Sequence, residues 1–428
     1  MKVIHIDPGA GGTFYCQNCM RDCSLVNELR KQGQDVVMVP MYLPILIDSN
    51  EISRDVPVFF GGINVYLQQQ FSFFRHTPRW LDKLFDLPWM LRQAAAREAS
   101  TEASELGPLT LSMLKGEDGN QKKELTRLIE WLVEQEKPDL IHISNALLLG
   151  LAEPLKRDVG VPIVCSLQDE QTWIVDMDDA HAKQCWDVMS AHAKHVDAFI
   201  TVSEWNGKEM AERLDIPADK MNIVPLGIDL DQREAKTPSF DPPVLGYLSK
   251  MTESLGLGLL VDAFIALKKK PGLENLKLRA TGGQMGPDAA YVTGLKKILA
   301  AEGLEKDAEF IEGFDPDQRN DFLQSISVLS VPSTRGESFG MFIAEALMEG
   351  VPVVQPDTGG YAEVVHATGG GLVYDVNNPE GLVDALEALL LDPDRARAMG
   401  EQGRKQVIEH FGIERMAREV AAIYETLT

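Results

Sequence analysis

The chain lacks any long hydrophobic run. No apolar stretch in its 428 residues approaches the ~20 residues that a membrane-spanning helix needs. The N-terminal residues, MKVIHID, pass directly into a β-like run, without the apolar core and small-residue cleavage site of a secretion signal. We therefore expect a cytoplasmic protein with no transmembrane segment.

Positive charge is also scarce. There are 41 Lys and Arg residues against 65 Asp and Glu residues, which gives a formal net charge of −24. Nucleic-acid phosphates require a basic stripe, and anionic lipid requires a polybasic surface. The charge balance argues against both and favours small-molecule partners.

Cysteine is rare, and its number is odd. Three of the five cysteines fall within eight residues, at Cys16, Cys19 and Cys23. This is not the pattern of a disulfide-stapled secreted domain, and it fits a reducing compartment better.

Aromatic residues make up only 7% of the chain, yet they are concentrated in residues 58–91. We interpret this aromatic-rich region as core or as a patch through which a homo-oligomer forms. The alternative is an acceptor wall, since aromatic faces stack on sugars and other flat ligand surfaces.

Short Val- and Ile-rich runs alternate with amphipathic stretches along the chain. The runs are VIHI, DVVMV, DLIHI, VPIVCS and DAFITV in the first half, and VLGYL, LKLRAT, VLSVPS and VPVVQ in the second. Runs this apolar suit parallel strands that are covered on both faces, with helices between them. The pattern predicts an α/β protein with doubly wound parallel sheets.

The polar, proline-rich segment 231–243 is the best domain boundary. It separates an N-terminal Rossmann-like domain, 1–230, from a C-terminal one, 244–412. Residues 413–428 read as one amphipathic helix, which we expect to pack back on the N-terminal domain. Two such halves predict a cleft between the C-terminal edges of their strands, where folds of this kind bind ligands.

The most informative stretch is 331–365, VPSTRGESFGMFIAEALMEGVPVVQPDTGGYAEVV. A strand is predicted to end at Pro332, and a turn with Gly336 and Gly340 leads into a helix. Glu337 lies in the turn and Glu345 inside the helix, with seven residues between them. A helix N-terminus suits a phosphate, and a carboxylate can accept paired hydrogen bonds from a ribose.

This stretch resembles the retaining glycosyltransferases of family 4, which have the GT-B fold and a paired-glutamate motif. VSEWNGKEMAERLDIPADKMNIVPLGID and the glycines of TGG at 281–283 agree with the family in the same order. The resemblance implies two Rossmann-like domains facing across a cleft. It also implies transfer of a hexose from a UDP-, GDP- or ADP-sugar to a soluble acceptor, with retained configuration and without a required metal or cofactor.

The resemblance assigns residues by position. Glu337 would face the donor sugar as a catalytic residue, together with Gln168 and Asp169, and Glu345 would bind the ribose. The implied donor-binding set is Gly11, Gly12, Lys250, Gly282, Gly283, Arg335, Ser338, Phe339, Gly340, Met341, Phe342 and Glu345.

Two positions depart from the family pattern. Lys250 takes the place of an Arg in the diphosphate clamp, but Leu255 stands where a Lys is expected. Either another cation such as Arg335 reaches the phosphates, or the donor differs. Gln168-Asp169 replaces the usual His-Asp or His-Gly, and a Gln cannot titrate near neutral pH.

The opening turn carries an insert of about five residues relative to the family. Its polar side chains predict the acceptor side of the site through Thr13, Tyr15, Gln17 and Asn18. Its thiols, Cys16, Cys19 and Cys23, are read as packing residues, as a redox pair or as metal ligands. In the metal alternative, His181 and Cys185 supply further donors, because His181, Cys185 and His192 recur on one helix face.

Other readings remain open at this point. His5 and His142, at strand positions, are expected to be satisfied core histidines. A nucleotide-sugar 2-epimerase shares the two-domain architecture, and a sugar phosphorylase would tolerate Leu255 better. A non-catalytic nucleotide-sugar binding protein would account for both departures.

Overall fold

The structure is a computed structural model that describes residues 1–8, 17–41, 59–60, 62–77, 103–230, 236–284, 286–311 and 318–428. Its chain contacts divide it into two compact units. Within the described residues, unit 1 comprises 1–8, 18–225 and 416–428, and unit 2 comprises 226–415. The predicted linker, 231–243, lies partly outside the described residues.

Unit 1 contains a six-stranded parallel sheet in the order β2-β1-β3-β4-β5-β6. Its strands are β1 (Lys2–Asp7), β2 (Asp35–Pro40), β3 (Leu140–Ile143), β4 (Ile163–Ser166), β5 (Ala198–Thr201) and β6 (Met221–Ile223). All four residues of β3, β4 and β5 are buried, as expected for strands covered by helices on both faces.

The helices of unit 1 surround this sheet. They are α1 (Gln17–Lys31), α2 (Gly62–Gln70), α3 (Ala103–Leu114), α4 (Lys122–Trp131), α5 (Ala152–Asp158), α6 (Glu170–Ile174), α7 (Asp179–Ala193) and α8 (Glu204–Leu214). Short 3-10 segments lie at Ser72–His76, Gly116–Asp118, Ala146–Leu151 and Ala218–Lys220, and a π-helical turn lies at Leu132–Glu136.

Unit 2 contains a second six-stranded parallel sheet, in the order β12-β11-β10-β7-β8-β9. Its strands are β7 (Val244–Leu248), β8 (Lys277–Thr281), β9 (Ala308–Phe310), β10 (Val328–Leu329), β11 (Val353–Pro356) and β12 (Gly371–Tyr374). Its helices are α9 (Leu257–Lys268), α10 (Gly286–Ala301), α11 (Arg319–Leu323), α12 (Met341–Met348), α13 (Tyr361–Thr368), α14 (Gly381–Leu390) and α15 (Pro393–His410).

The last helix, α16 (Ile413–Leu427), lies for most of its length in unit 1. The hydroxyl of Tyr424 and Nδ1 of His142 are joined by a hydrogen bond of 2.6 Å, and both side chains are fully buried. The other ring nitrogen of His142 bonds Ser166 Oγ at 2.8 Å. His142 is therefore the satisfied core histidine that we expected, and burial holds its pKa well below the usual range.

His5 differs from this expectation. It is fully buried beside His142, with ring centroids 4.6 Å apart, but within the described part of the chain neither of its ring nitrogens has a hydrogen-bond partner, and Nε2 lies 3.9 Å from Asp22 Oδ1. Burial lowers the pKa of His5, since a charged imidazole would be poorly solvated there.

The predicted α/β class with two doubly wound parallel sheets is confirmed. All nine predicted strands are present, although β10 is only two residues long and ends before Pro332. Two strands were missed, namely β9 and β12, and both are edge strands, whereas β6 lies within the stretch 202–229 that resembles the family. None of the described helices combines the length and the apolar character needed to cross a membrane.

The aromatic-rich region 58–91 is described only in part. Phe59 and Phe60 are buried in the core of unit 1, whereas Phe71 and Phe73 are 55% and 70% exposed. Trp80, Phe85 and Trp89 lie outside the described residues. The homo-oligomer through this region therefore stays a prediction.

Candidate active site

Each sheet has a point where the chain order reverses. In unit 1 the reversal lies between β1 and β3, and in unit 2 between β7 and β10. Ligands of open α/β sheets bind outside the carboxyl ends of the strands at such a point. Most of the described residues that were predicted to be catalytic or donor-binding follow these strands or their neighbours.

In unit 2, the backbone of the turn after β10 packs directly against the backbone of the turn after β11. Gly336 and Gly359 both have positive φ, 71° and 60°. A Cβ on Gly336 would lie 2.6 Å from Gly359 N, and one on Gly359 would lie 2.4 Å from Glu337 O. Gly360 N donates to Glu337 O at 2.8 Å. Only glycine permits this approach, so the two turns hold Glu337 by its backbone.

The side chain of Glu337 is oriented by Tyr361. The fully buried Tyr361 donates its hydroxyl to Glu337 Oε2 at 2.7 Å, and its ring packs edge-on against Phe342 at 5.5 Å. Gly340, at φ 80°, begins α12, and a Cβ there would lie 2.7 Å from the Tyr361 ring. The glycine therefore leaves room for the ring that positions the carboxylate.

The other predicted donor-binding residues of this turn differ in exposure. Four of them have side chains exposed by 4% or less, namely Ser338, Phe339, Met341 and Phe342. The ring of Phe339, for example, packs on Phe411 at 5.7 Å. These side chains belong to the core, so any contact with a diphosphate would come from backbone amides at the start of α12. Arg335, by contrast, is exposed.

Lys250, in the loop after β7, is already paired. Its Nζ lies 3.2 Å from Oδ2 of Asp288, in the first turn of α10. The buried Tyr247 shapes the same loop by placing its hydroxyl near two carbonyl oxygens, 2.9 Å from Lys250 O and 3.4 Å from Leu255 O. A diphosphate at Lys250 would have to compete with the Asp288 carboxylate.

The glycine pair after β8 packs against the Lys250 loop. Gly282 and Gly283 have φ 128° and 80°, and a Cβ on Gly282 would lie 2.1 Å from Ser249 O. Met251 N donates to Gly283 O at 2.9 Å. These two glycines, predicted to bind the donor, therefore allow a close backbone approach to the Lys250 loop.

Tyr247 lies near both Glu337 and the Lys250–Asp288 ion pair. The pKa of its phenol is raised well above the usual value, first by burial and then by the negative charges of Glu337, Tyr291 and Asp288. Glu337 and the Lys250–Asp288 pair therefore both lie near this one side chain.

Glu345 lies on the inner face of α12 and is 7% exposed. Its Oε1 is 3.2 Å from Nε of Arg319, at the start of α11. A pocket of about 130 Å³ opens beside this pair; its lining is Ile228, Asp229, Arg319, Asn320, Glu345, Met348 and Glu349. A buried carboxylate beside a pocket of this size can accept hydrogen bonds from paired hydroxyls.

In unit 1, a buried polar group lies at the C-terminal edge of the sheet. We call it the Asp22 cluster, and it consists of Arg21, Asp22, Ser144 and Gln168. The carboxylate of Asp22 accepts from Arg21 Nε and Nη2 at 3.1 and 2.9 Å, and from the Ser144 hydroxyl. Gln168 Nε2 lies 3.1 and 3.0 Å from the two Asp22 oxygens and 3.1 Å from Ser144 Oγ.

These contacts determine what Gln168 can offer to a ligand. Its two amide N–H groups are directed at Asp22 and Ser144, so the group left to bond a ligand is Oε1, an acceptor. Asn18, predicted on the acceptor side, donates from Nδ2 to the backbone oxygen of Gln168 at 3.2 Å. The structure thus brings two predicted residues, Asn18 and Gln168, together.

The segment after Gln168 contains a strained residue and a perturbed carboxyl. Asp169 has left-handed backbone angles, φ 61° and ψ 30°, which are costly for a residue other than glycine. Glu170 is 1% exposed and accepts from the backbone N–H groups of Ala146 and Gln168 at 2.7 and 2.8 Å. Burial raises the pKa of Glu170 to about 7, partly offset by these hydrogen bonds.

Several predicted positions fall outside the described residues: Gly11, Gly12, Thr13, Tyr15 and Cys16. The side chains of Gln17 and Cys19 are likewise not described. The role of this insert stays a prediction.

The histidines and thiols of the metal alternative have other surroundings. His181 Nδ1 bonds Asp178 Oδ2 at 2.6 Å, and Cys23 and Cys185 are buried. Burial raises the pKa of the Cys185 thiol to about 11, which disfavours the thiolate that a metal would need. His192, on the same helix, instead lies near His195 and Glu153.

Sequence reasoning missed five residues of the site: Asp22, Glu170, Asp288, Arg319 and Tyr361. Glu170 adjoins Gln168-Asp169, and Tyr361 adjoins the Gly359-Gly360 pair, so proximity in sequence was a signal for these two. Asp288 and Arg319 belong to helices 38 and 26 residues from their partners, Lys250 and Glu345, and no local pattern marks such pairs.

We expect Gly340→Ala to destabilise unit 2 by roughly 1–3 kcal/mol, because the new Cβ meets the Tyr361 ring at a left-handed position. Urea unfolding measures this. The matched control is Gly294→Ala in α10, where a Cβ meets nothing within 4 Å and stability should rise by about 0.4–1 kcal/mol. Equal stability of the two variants would contradict the assigned role of Gly340.

The Glu170 carboxyl should make stability depend on pH. Its folded pKa of about 7 lies above the ordinary 4.5, so between these values the folded chain holds a proton that the unfolded chain releases. Stability should therefore fall as pH rises through this window, by roughly 3 kcal/mol. The free energy of unfolding of Glu170→Gln should lack that fall when measured from about pH 5 to about pH 8. The exposed Glu134→Gln should keep it, and parallel pH curves for wild type and Glu170→Gln would refute the assignment.

Comparison with known proteins accounts for both halves of the chain. Residues 230–406 match the family described as glycosyl transferases group 1. Residues 23–227 match the glycosyl transferase 4-like domain. The two matches cover unit 2 and unit 1 respectively.

Two curated relatives show the extent of the similarity. The chain is 31% identical over 248 residues to the lipopolysaccharide core biosynthesis mannosyltransferase LpsB of Rhizobium meliloti, an alignment that covers 55% of this chain and 67% of LpsB. It is 26% identical over 246 residues to a D-inositol 3-phosphate glycosyltransferase of Corynebacterium jeikeium, covering 54% of this chain and 58% of that protein.

Solved structures share the fold over the whole chain. Sucrose-phosphate synthase from Thermosynechococcus elongatus has a TM-score of 0.71 at 18% identity, covering 100% of this chain and 99% of that one. Anabaena HepE in complex with UDP-glucose has a TM-score of 0.69 at 16% identity, covering 100% of both chains. With both halves matched and the fold shared, this chain belongs to the group 1 glycosyltransferases and is a glycosyltransferase with the GT-B fold.

Proposed function

We propose that this glycosyltransferase moves a hexose from a nucleotide-sugar to a soluble acceptor, with retained anomeric configuration and without a metal ion in the transfer site. The observation that carries the proposal is the placement of Glu337. Its backbone is held between two glycine turns and its carboxylate by Tyr361, directly before the start of α12.

The donor would occupy unit 2. Glu337 would face the sugar, where a fixed carboxylate stabilises positive charge that develops as the bond to the diphosphate breaks. Glu345 would bind the ribose at the pocket it shares with Arg319. The ion pair with Arg319 keeps this carboxylate charged and oriented before the nucleotide arrives.

The diphosphate would lie at Lys250 and the start of α12. Lys250 and the backbone amides at the N-terminus of the helix supply positive potential to the leaving group. Lys250 would have to leave Asp288 when the diphosphate binds. Donor binding would then replace the Lys250–Asp288 ion pair by one between Lys250 and the diphosphate. We therefore assign Lys250 as the principal cation at the diphosphate, because Leu255 carries no charge.

Unit 1 would supply the acceptor side through Asn18 and Gln168. Gln168 would accept a hydrogen bond from a sugar hydroxyl through Oε1, while its amide nitrogen stays on the Asp22 cluster. A group that accepts but cannot titrate selects a hydroxyl without taking up a proton near neutral pH.

The relatives bear on the substrate class. LpsB is named a mannosyltransferase, the Corynebacterium relative is named for D-inositol 3-phosphate, and HepE was solved with UDP-glucose. We therefore propose a UDP-, GDP- or ADP-activated hexose as donor and a small polyol or saccharide as acceptor.

A panel of these donors, assayed for slow hydrolysis without acceptor, identifies the one that is turned over.

The two glutamates should have separable effects. Glu345→Gln should weaken nucleoside diphosphate binding about 5- to 150-fold, because charge-assisted hydrogen bonds to the ribose are lost. Glu337→Gln should lower kcat on the order of 100-fold with little change in that affinity, since its contact is with the sugar. Calorimetry measures the affinity, and donor turnover measures kcat.

Glu349→Gln is the matched control for Glu345. Glu349 lines the same pocket one helical turn later, but its Oε2 accepts from Gln324 Nε2 at 2.7 Å. Its substitution should leave binding and turnover near wild type. Normal binding in Glu345→Gln together with normal turnover in Glu337→Gln would refute the donor-site assignment.

Lys250→Ala should abolish nearly all transfer and weaken nucleoside diphosphate binding, whereas Leu255→Lys should tighten that binding by restoring a second cation at the diphosphate. The control is Lys269→Ala, an exposed lysine paired with Glu302 at 3.1 Å, which should behave as wild type. Near-normal kinetics of Lys250→Ala would show that another residue binds the phosphates.

A further inference from the structure

Three side chains of unit 1 form a compact group away from the Asp22 cluster. They are Glu153, in the first turn of α5, and His192 and His195, at the end of α7, and we call them the Glu153 triad. His195 lies three residues before β5 begins, so it belongs to the N-terminal edge of the sheet. Gln168 follows the C-terminal end of β4, at the opposite edge.

One potential ligand atom of each triad residue lies within 4.8 Å of the others. His192 Nδ1 is 3.9 Å and His195 Nε2 is 3.7 Å from Glu153 Oε2. Both of these ring nitrogens are buried atoms without a hydrogen-bond partner among the described residues. Two imidazole nitrogens therefore point towards one carboxylate oxygen without bonding to it.

The local structure brings these groups together. His195 N donates to His192 O at 3.0 Å, so the tight last turn of α7 places both imidazoles on one side. One helical turn after Glu153, Lys156 Nζ pairs with Asp197 Oδ2 at 2.6 Å, and Asp197 also accepts from Ile163 N at 2.7 Å. These contacts fasten α5 to the segment that follows His195, which keeps the three ligands close.

Both separations fall within the range of an ion pair, but they are longer than a hydrogen bond. A charge-assisted hydrogen bond between imidazolium and carboxylate spans about 2.7–2.9 Å, well short of the observed gaps. Ligands bonded at about 2.0–2.1 Å to a tetrahedral ion lie roughly 3.3 Å apart, so the two imidazole nitrogens would each have to move about 0.4–0.6 Å closer to Glu153 Oε2.

We propose that Glu153, His192 and His195 bind one Zn²⁺ ion, with water in the fourth position. Two imidazoles and one carboxylate are a ligand set that Zn²⁺ prefers, whereas Ca²⁺ and Mg²⁺ prefer sets made entirely of oxygen. The ion would join α5 to the end of α7 and stabilise unit 1. Because the triad lies at the sheet edge opposite Gln168, the site is separate from the proposed transfer site.

The test is titration of tag-free, chelator-treated full-length protein with Co²⁺, which reports tetrahedral nitrogen and oxygen ligation by its visible absorption. We expect one equivalent to bind and Zn²⁺ to displace it. The double variant His192→Ala, His195→Ala should lose this absorption. Glu153→Gln should weaken binding at least about tenfold, since even indirect partners of a metal site often contribute that much.

His181→Ala is the matched control on the same helix, because His181 pairs with Asp178 and should leave the titration unchanged. Glu153 is half exposed, so Glu153→Gln should fold normally if the double histidine variant does not. A slight excess of Zn²⁺ should raise Tm by roughly 5 °C in wild type and in His181→Ala but not in the double variant.

The proposal would be overturned by no saturable Co²⁺ absorption, by unchanged absorption in both Glu153→Gln and the double histidine variant, or by loss of binding in His181→Ala. A sulfur-to-metal charge-transfer band as the main signal would also overturn it, because it would place the ion on cysteines instead.

Discussion

The unit 2 site depends on one main-chain contact, the hydrogen bond from Gly360 N to Glu337 O between two glycine turns. It brings the turn after β10 within backbone distance of the turn after β11, which no side chain larger than hydrogen would allow at Gly336 or Gly359. Tyr361 directly follows this contact and is thereby placed to bond Glu337. Backbone packing thus places the two residues, and the hydroxyl of Tyr361 then orients the carboxylate of Glu337.

In unit 1, the buried charge of Asp22 determines how the side chains around it are oriented. Asp22 is fully buried, and a buried carboxylate is tolerated only when its oxygens are satisfied. Arg21, Ser144 and Gln168 satisfy them, so these side chains have little freedom to reorient. An uncompensated change in this group would leave a charge in the core, and the cost of that charge keeps the Gln168 amide in one orientation.

The sequence predicted the central strands well because strands buried on both faces must be continuously apolar. The two missed strands, β9 and β12, are edges of their sheet and contain no fully buried residue, so the apolar signal is weak there. At the site, the positions of Glu337, Glu345 and Lys250 could be predicted from local motifs. Arg319 and Asp288, the partners of Glu345 and Lys250, could not, because each comes from a distant helix that only the fold brings near. Tyr361, the partner of Glu337, adjoins the Gly359-Gly360 pair, so its place in the sequence was a signal.

The hydrogen bond between Tyr424 and His142 has a consequence for biosynthesis. Unit 1 takes residues 416–428 from beyond unit 2, whereas most of unit 2 lies in the single segment 226–415. During translation, unit 2 can fold as soon as it leaves the ribosome, but unit 1 must wait with His142 Nδ1 and the apolar surface under α16 uncovered. Residues 416–428 therefore complete a unit whose other elements are synthesised before unit 2, and loss of this helix would damage the N-terminal half of the enzyme.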